Sequence, residues 1–236
     1  MIRKIILHIK SLYVRSSNEK FVKYLKSKGV QMGGGIKFLY PGTVDIDLTR
    51  PSLITIGNNC FFNKNFTLHT HDWVTRVFIH AGYDFLPSSG KVMIGNNVNT
   101  GYNVTILKGV TVGDNVFIGA NSLVTKDIPS NCIAAGIPCK VICSLEEFYT
   151  KRINKSEREA LIYAKSIKER FGRTPVISDF WEELPLFLDG AKVKDFPDFV
   201  PVVKRQLGPM YDNCIQNHRA KYDGMDSFLK AAGIYL

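Results

Sequence analysis

Residues 92–128 read "VMIGNNVNTGYNVTILKGVTVGDNVFIGANSLVTKDI", and this stretch repeats a pattern every six positions. The first register is mostly aliphatic and consists of Ile94, Thr100, Ile106, Val112, Ile118 and Val124. Two positions before these residues stand Val92, Val98, Val104, Val110, Val116 and Ser122. A spacing of six is neither the period of a helix nor the alternation of a long strand. It predicts short strands that bury alternate side chains, each followed by a corner.

The corners between these strands are rich in glycine and asparagine, as in "GNN", "GDN" and "GAN". A glycine follows the first register at Gly95, Gly101, Gly113 and Gly119. Both residue types tolerate a positive φ, which suits a tight corner. Three consecutive strand-and-corner units make one triangular coil, and the next coil then stacks on it in the same register.

The same register occurs earlier, in "GVQMGGGIKF" (residues 29–38) and in "LITIGNNCFFNKNFTL" (residues 53–68). The separation between Ile56 and Ile94 is not a multiple of six. We therefore expect a loop to leave the coils over about residues 69–91, opening within "LHTHDW". A loop ejected from a regular scaffold is a common place for function.

Residues 101–142, "GYNVTILKGVTVGDNVFIGANSLVTKDIPSNCIAAGIPCKVI", resemble the last coils of the hexapeptide-repeat acyltransferases. The similarity is to the branch that O-acetylates sugars and polysaccharides, whose usual ending is close to "GAGSVVTKDIP…GNPAKVI". Asn121 replaces a usual glycine and Cys139 a usual alanine. The resemblance covers residues 30–142. It implies a left-handed parallel β-helix, although simple crossovers favour the right-handed sense.

The resemblance also implies a homotrimer in which acetyl-CoA lies in the groove between two prisms. Gly101, Gly119 and Ala120 then become candidates for close backbone approach to pantetheine. Lys126 and Lys140 become candidates for the nucleotide phosphates, because lysine offers a point charge to a phosphate. The alternative is that the small residues are simply corner residues and the lysines are solvated.

A single histidine acts as general base in this family, by taking a proton from the acceptor hydroxyl. Imidazole suits this role because its ordinary pKa lies near working pH. The triplet Thr70-His71-Asp72 matches an "S-H-D" context of the family. We expect His71 to be the base and Asp72 to orient it; His69, at the corner of a coil, is the alternative base.

Three further residues are candidates for binding the acceptor. Trp73 is either a stacking platform for a sugar ring or packing for the root of the loop. Asn65 looks like a corner residue, although related enzymes place an asparagine near the acceptor hydroxyl. Tyr83, in the ejected loop, is a candidate for shaping the acceptor pocket.

The predicted reaction is transfer of acetyl to a sugar hydroxyl of a bacterial surface polysaccharide or its precursor. Acetylation of the amine of a nucleotide-linked amino sugar needs the same base and stays an alternative. Two alternatives belong to other classes, a non-enzymatic trimeric scaffold and a γ-type zinc carbonic anhydrase using His69, His71 and His80. Two features favour an acyltransferase without a metal: the last coils resemble those of the acyltransferases, and the histidines lack the spacing usual in the carbonic anhydrases.

The periodicity divides the chain into an N-terminal helical segment (1–29), a β-helix catalytic domain (30–143) and a helical C-terminal extension (144–236). Two capping-box patterns, Ser144 with Glu147 and Ser156 with Glu159, predict two helices in the extension. The second helix is expected to end near Gly172.

The net charge and the cysteine content limit the classes of binding partner and the compartment that the sequence predicts. The net charge is +10, and no basic block carries interleaved aromatics, so nucleic acid is a weak candidate beside an acidic cofactor, glycan or membrane face. The five cysteines include no CxxC pair, which favours reduced thiols and a cytoplasmic protein. The start, "MIRKIILHIKSLYVRSS", does not read as a signal peptide. It predicts a helix that packs on the body or lies on the inner face of the membrane.

Overall fold

The computed structural model describes residues 11–235. The chain divides into two compact units, Met1–Tyr149 and Thr150–Leu236. The first unit contains 14 described strands, none longer than five residues. They are β1 (Gln31–Met32), β2 (Lys37–Phe38), β3 (Asp45–Ile46), β4 (Ile54–Ile56), β5 (Phe61–Phe62), β6 (Thr67–Leu68), β7 (Val92–Ile94), β8 (Val98–Thr100), β9 (Thr105–Ile106), β10 (Thr111–Val112), β11 (Val116–Ile118), β12 (Leu123–Val124), β13 (Cys132–Ala135) and β14 (Lys140–Ser144).

These strands form three sheets, and strands that follow one another along the chain mostly belong to different sheets. The orders are β1-β4-β7-β10, β2-β5-β8-β11-β13-β14 and β3-β6-β9-β12. Neighbouring strands pair in parallel, except that β13 and β14 are antiparallel. The chain therefore winds through the three sheets in turn, which makes a parallel β-helix and confirms the coil predicted from the period of six.

The core of this unit consists of the inward side chains of the repeat. Leu68 and Ile106 are paired in register on adjacent coils, and neither side chain reaches solvent. Ile54 and Val92 repeat this arrangement in a second sheet. Each such buried aliphatic side chain stabilises the fold by roughly 1.5–3 kcal/mol. The aliphatic register seen in the sequence is thus the packed interior of the coils.

Asparagine provides the left-handed backbone at the corners. Within residues 11–235, the non-glycine residues with positive φ are all asparagines with φ of 54–59°: Asn59, Asn65, Asn97, Asn103, Asn115, Asn121 and Asn131. Their side-chain amides also bond from coil to coil, as in the ladder Asn97–Asn115–Asn131 with N···O distances of 2.9 Å. This ladder links equivalent corners of successive coils.

The corner glycines serve a different purpose from the one expected, since those that follow the first register do not have positive φ. A Cβ added at Gly101 would lie 2.5 Å from the backbone nitrogen of Ala120 on the next coil. A Cβ at Gly95 would lie 2.5 Å from the Asp114 carboxylate. These positions exclude a side chain because consecutive coils stack closely there.

The ejected loop interrupts the coils between β6 and β7. Val98 pairs with Val116 on the next regular coil. Ile54 likewise pairs with Val92, but the chain between Ile54 and Val92 is about twice as long as that between Val98 and Val116. The extra length is the loop, which contains the short helix α2 (Thr75–His80). This extra length lies between the end of β6 at Leu68 and the start of β7 at Val92.

Helix α1 (Asn18–Ser27) precedes the first coil. The hydroxyl of Ser17 accepts from the backbone N–H of Lys20 and caps this helix. Phe21 lies edge-on to Phe38 of the first coil with ring centroids 5.1 Å apart, so α1 continues the core of the β-helix. Residues 1–10 of the predicted N-terminal segment, where the helix was expected either to pack on the body or to lie on the membrane face, lie outside the described residues.

One long helix replaces the two helices predicted after the coils. Helix α3 (Leu145–Phe171) runs unbroken through Ser156. Ser144 and Glu147 form the predicted capping box, in which each side chain accepts from the other's backbone N–H. The Ser156 hydroxyl instead donates to the carbonyl of Ile153, and Glu159 binds Arg152. Ser156 and Glu159 therefore lie inside the helix and do not cap a helix start.

The second unit has its own aromatic core around Phe180, Phe187 and Phe228. Its remaining helices are α4 (Leu184–Phe187), α5 (Val200–Leu207), α6 (Tyr211–Asn217) and α7 (Gly224–Ala231). Short 3₁₀ helices cover Ile177–Asp179, Gly190–Asp195 and Gly208–Met210. Within residues 11–235, no helix combines the length and the apolar character that crossing a bilayer requires.

Candidate active site

The root of the ejected loop is a closed structure. His71 and Ser89 form an antiparallel bridge, and the backbone N–H of Gly90 donates to the carbonyl of Thr70 at 2.9 Å. The chain therefore leaves the coil at Thr70 and returns beside it at Gly90. A Cβ on Gly90 would lie 2.6 Å from the backbone nitrogen of Gly109, which explains a glycine at the return.

Asp47 meets this root from the preceding coil. Strand β3 pairs with β6 so that Ile46 lies opposite Leu68. The residue after β3 therefore lies beside the residues that follow β6, and the backbone N–H of Asp47 donates to the carbonyl of Leu68 at 2.9 Å. The Asp47 side chain is only 6 % exposed.

The Asp47 carboxylate holds His71. Its Oδ2 lies 2.5 Å from His71 Nδ1, and it also accepts from the backbone N–H and hydroxyl of Thr70 at 3.0 and 2.5 Å. Its Oδ1 accepts from the backbone N–H and hydroxyl of Thr49 at 3.0 and 2.6 Å. Five donors thus converge on one buried carboxylate, and the His71 ring is one of them.

These contacts fix the ionisation of Asp47 and the tautomer of His71. Burial acts to raise the pKa of Asp47, but hydrogen bonds from Thr49, Thr70 and His71 together outweigh it and hold that pKa well below its usual range. An ionised carboxylate only accepts hydrogen bonds, so Nδ1 of His71 must donate. In the neutral imidazole, the lone pair is then on Nε2, as a general base requires.

Asp72 was predicted to orient His71, but its carboxylate binds other partners instead. Its Oδ2 lies 2.7 Å from Lys108 Nζ and accepts from the Ser88 hydroxyl at 3.0 Å, while its Oδ1 accepts from the backbone N–H of Val74. Lys108 also donates to Ser88. The hydrogen bond from Lys108 is the largest cause of an Asp72 pKa lowered to about 2. Asp72 therefore fastens both ends of the loop to the coil that carries Lys108.

Neither His69 nor His80 is among the side chains that contact Asp47 or His71 in residues 11–235. The backbone N–H of His69 donates to the Ile106 carbonyl at 3.0 Å, so His69 continues the coil as expected. His80 is the last residue of α2. Among residues 11–235, no three His, Cys, Asp or Glu side chains are arranged to hold a metal ion.

The predicted acceptor residues occupy three different environments. The ring of Trp73 is 67 % exposed and its centroid is 5.7 Å from that of His71. Tyr83 is 70 % exposed and lies further along the loop. The Asn65 amide donates to Asn103 at 2.8 Å as part of a corner ladder. The structure therefore brings only Trp73 directly beside His71.

The predicted cofactor residues lie on the later coils, except Lys140, which begins the antiparallel strand β14. Gly101 and Ala120 stack on adjacent coils, and a Cβ at Gly119 would lie 2.9 Å from the methyl group of Ala135. Lys126 and Lys140 are exposed. The small residues are thus explained by coil stacking alone, and the two lysines are available to solvent or to an anion.

The model of the family "Bacterial transferase hexapeptide (six repeats)" matches residues 91–126. Protein CapG of Staphylococcus aureus is 36 % identical over 158 residues, which are 62 % of this chain and 90 % of CapG. Galactoside O-acetyltransferase of Escherichia coli K12 is 43 % identical over 99 residues, 40 % of this chain and 45 % of that enzyme.

The chain belongs to the hexapeptide-repeat acyltransferase family. The parallel β-helix of its first unit is accordingly the left-handed helix that the resemblance implies. The chain spans 45 % of the Escherichia coli galactoside O-acetyltransferase and 61 % of the one from Lactococcus lactis, to which it is 35 % identical over 141 residues. A solved galactoside acetyltransferase in complex with coenzyme A is 30 % identical, with 61 % of this chain and 82 % of that chain covered and a TM-score of 0.42.

The partners of His71 in this hexapeptide-repeat protein were not among the residues predicted from the sequence. Asp47 and Thr49 precede His71 by a whole coil, and that coil is longer than the regular ones that follow the loop. The signal for Asp47 is the alternation in "VDIDLT", which places it directly after a buried Ile46. Lys108 lies shortly after β9. Its partner Asp72 lies in the loop, outside the period of six, so the repeat does not predict their contact.

Proposed function

We propose that this protein is an acetyl-CoA-dependent O-acetyltransferase acting on a sugar hydroxyl of a bacterial surface polysaccharide or its precursor. The observation that carries the proposal is the contact between Asp47 and His71 at 2.5 Å, at the root of the ejected loop. Family membership and relatives named galactoside O-acetyltransferase support the reaction class.

In this mechanism His71 Nε2 is the general base. It takes the proton of the acceptor hydroxyl while the oxygen attacks the thioester carbonyl of the donor. The new C–O bond forms, the C–S bond breaks, and the proton on His71 passes to the leaving sulfur. Asp47 holds Nδ1–H throughout and stabilises the imidazolium that exists between the two proton transfers.

The donor proposal rests on charge and on the family resemblance. Lys126 follows the last strand of the third sheet, Lys140 begins β14, and both are exposed cations in a chain with a net charge of +10. The phosphates of acetyl-CoA suit such point charges. Gly101 and Gly119 stay candidates for the pantetheine arm on the family resemblance, since the next coil fills the space beside both glycines.

The acceptor proposal rests on Trp73. Its exposed indole lies beside His71, and an exposed aromatic face is a stacking surface for the C–H face of a sugar ring. A ring stacked there has hydroxyls within reach of the base. Tyr83 is a second exposed aromatic side chain of the same loop.

The exposed apolar surface of the loop supports a homotrimer. Val77, Ile79, Phe85 and Leu86 are each between 48 % and 68 % exposed. Side chains of this kind gathered on one loop are typical of a surface that another chain covers. A second copy of this chain is the proposed occupant, in keeping with the trimer that the family resemblance implies.

The test is acetyl transfer by the purified full chain. Release of coenzyme A from acetyl-CoA should depend on an added galactoside or glycan acceptor, and mass spectrometry should find the acceptor heavier by one acetyl group. His71→Ala should lower turnover by roughly 10²–10⁴-fold while circular dichroism and the oligomeric state stay unchanged. Near-wild-type turnover of His71→Ala would exclude the proposed base. Binding of acetyl-CoA without transfer to any sugar would exclude the proposed acceptor class.

A further inference from the structure

The second unit contains a polar cleft around Trp181 that the proposed reaction does not use. Its volume is about 470 Å³, and Tyr163, Trp181, Glu182, Arg205 and Gln206 are among its lining residues. Helix α3 supplies Tyr163, α5 supplies Arg205 and Gln206, and Trp181 and Glu182 lie on the segment before α4. The cleft is thus assembled entirely within Thr150–Leu236.

Two aromatic rings line this cleft and stay open to solvent. Trp181 is 51 % exposed and Tyr163 is 43 % exposed, although both adjoin a well-packed core. Tyr163 packs edge-on against the fully buried Phe180, with ring centroids 5.7 Å apart. Arg173 binds both carboxylate oxygens of Asp179 at 2.6–2.7 Å, which holds the segment leading into Trp181. The Tyr163 ring and the segment that leads into Trp181 are therefore held in place.

The polar side chains of the cleft combine donors with acceptors. Arg205 offers guanidinium donors, Glu182 and Glu183 offer carboxylate acceptors, and Gln206 offers both. None of the three charged side chains, Arg205, Glu182 and Glu183, forms a salt bridge within residues 11–235. An aromatic face flanked by mixed donors and acceptors suits a polyhydroxylated ring, whose hydroxyls donate and accept. The two carboxylates disfavour an anionic ligand.

An apolar cavity of about 50 Å³ adjoins this cleft. Trp181, Glu182 and Gln206 line both spaces, and the cavity continues between Leu188 and Val203. Leu188 is 6 % and Val203 9 % exposed, so the cavity penetrates the core of the unit. A space of this size and character suits a group no larger than a methyl or acetyl substituent.

We propose that the Trp181 cleft binds an uncharged pyranose carrying an acetyl group, with the ring on the indole and the acetyl methyl in the adjoining cavity. Both an N-acetylated amino sugar and an O-acetylated sugar have such a ring and such an acetyl group. This is a second carbohydrate site, and it does not depend on the acetyl transfer proposed for His71.

The test uses the full ¹⁵N-labelled chain without acetyl-CoA. The protein has two tryptophans, so two indole N–H signals are expected, and Trp73→Phe assigns the signal of Trp181. The probes are the methyl glycosides of N-acetylglucosamine, 6-O-acetylglucose and glucose, together with N-acetylneuraminic acid. Saturation-transfer spectra of each probe report independently on its acetyl methyl group.

The expected result is a saturable shift of the Trp181 indole signal with one or both neutral acetylated probes. Methyl glucoside should bind about 10-fold more weakly, since it lacks the group that fills the cavity. N-acetylneuraminic acid should bind more weakly than the neutral acetylated probes, because its carboxylate meets Glu182 and Glu183. A shift with only one acetylated probe identifies whether N- or O-acetyl is the ligand.

Variants separate this site from the catalytic one. Trp181→Ala and Glu182→Gln should lose saturation transfer to the acetyl methyl, whereas Tyr235→Ala, which removes another exposed aromatic of this unit, should retain it. Trp73→Phe should also retain it. Equal binding of methyl glucoside and the acetylated probes would overturn the proposal, as would unchanged binding by Trp181→Ala or no shift of the Trp181 signal with any probe.

Discussion

Asp47 Oδ2 lies 2.5 Å from His71 Nδ1, although the two residues are 24 positions apart and lie on successive coils. The contact exists because β3 and β6 pair in register and leave the residues after them side by side. The geometry makes Asp47 the positioning residue for the proposed base.

His71→Ala should lower kcat by roughly 10²–10⁴-fold, because it removes the only imidazole held by this carboxylate in the described part of the chain. The matched control is His69→Ala, which changes a histidine two positions away on the coil. His69→Ala should keep kcat within a few fold of wild type. Steady-state acetyl transfer measures both variants, and a larger loss in His69→Ala would transfer the role of base to His69.

Asp47→Asn should lower kcat about 10²-fold with little change in KM, because the amide no longer enforces donation from His71 Nδ1. The ¹⁵N chemical shifts of the imidazole should show a larger fraction of the tautomer protonated at Nε2. The double variant with His71→Ala should be no slower than His71→Ala alone, because the two residues act as one unit. Additive losses would contradict the pairing.

Asp47 should also make stability depend on pH. Its folded pKa is held below the ordinary value of about 3.9, so its ionised form favours the folded state. The resulting stability is fully present above about pH 5 and is lost as the pH falls toward the lowered pKa. The stability difference between wild type and Asp47→Asn, measured by urea unfolding, should therefore shrink between pH 5 and pH 3. A constant difference across this range would contradict the ionised carboxylate.

Lys108→Met should loosen the root of the ejected loop, because it removes the partner that Asp72 and Ser88 share. We expect kcat/KM to fall several fold and amide hydrogen exchange to rise across residues 71–90. The pKa of Asp72 should move up from about 2, which carboxyl NMR titration measures. Lys64→Met, at an exposed corner, is the control and should leave all three readouts unchanged.

Asn115→Ala should destabilise the fold by about 1–3 kcal/mol, because alanine resists a φ of 56° and the ladder to Asn97 and Asn131 is lost. Asn115→Gly should cost less, since glycine accepts that φ. Asn99→Ala, on the exposed face of β8, should change the free energy of unfolding by less than about 0.5 kcal/mol. Equal effects of all three variants in chemical unfolding would contradict the corner role.

The coils were predictable from the sequence because their determinants are local. Each buried register position is followed by its own corner, so a period of six in "VMIGNNVNTGYN" reports directly on strand, corner and core. The loop was predictable for the same reason, since a break in the period shows where the chain leaves the coil. The uninterrupted helix through Ser156 was not predictable, because a serine followed three residues later by a glutamate occurs both at helix starts and inside helices.

The sequence by itself determined the period of six, the β-helix, the ejected loop and the candidate His71 at its root. Only the tertiary structure decided which carboxylate serves that histidine. Asp72 is adjacent in sequence, but Lys108 and Ser88 hold it, whereas Asp47 reaches His71 through the stacking of two coils. The physical reason is that strand pairing brings together residues separated by a whole coil, and the unequal lengths of the early coils hide that distance from the sequence.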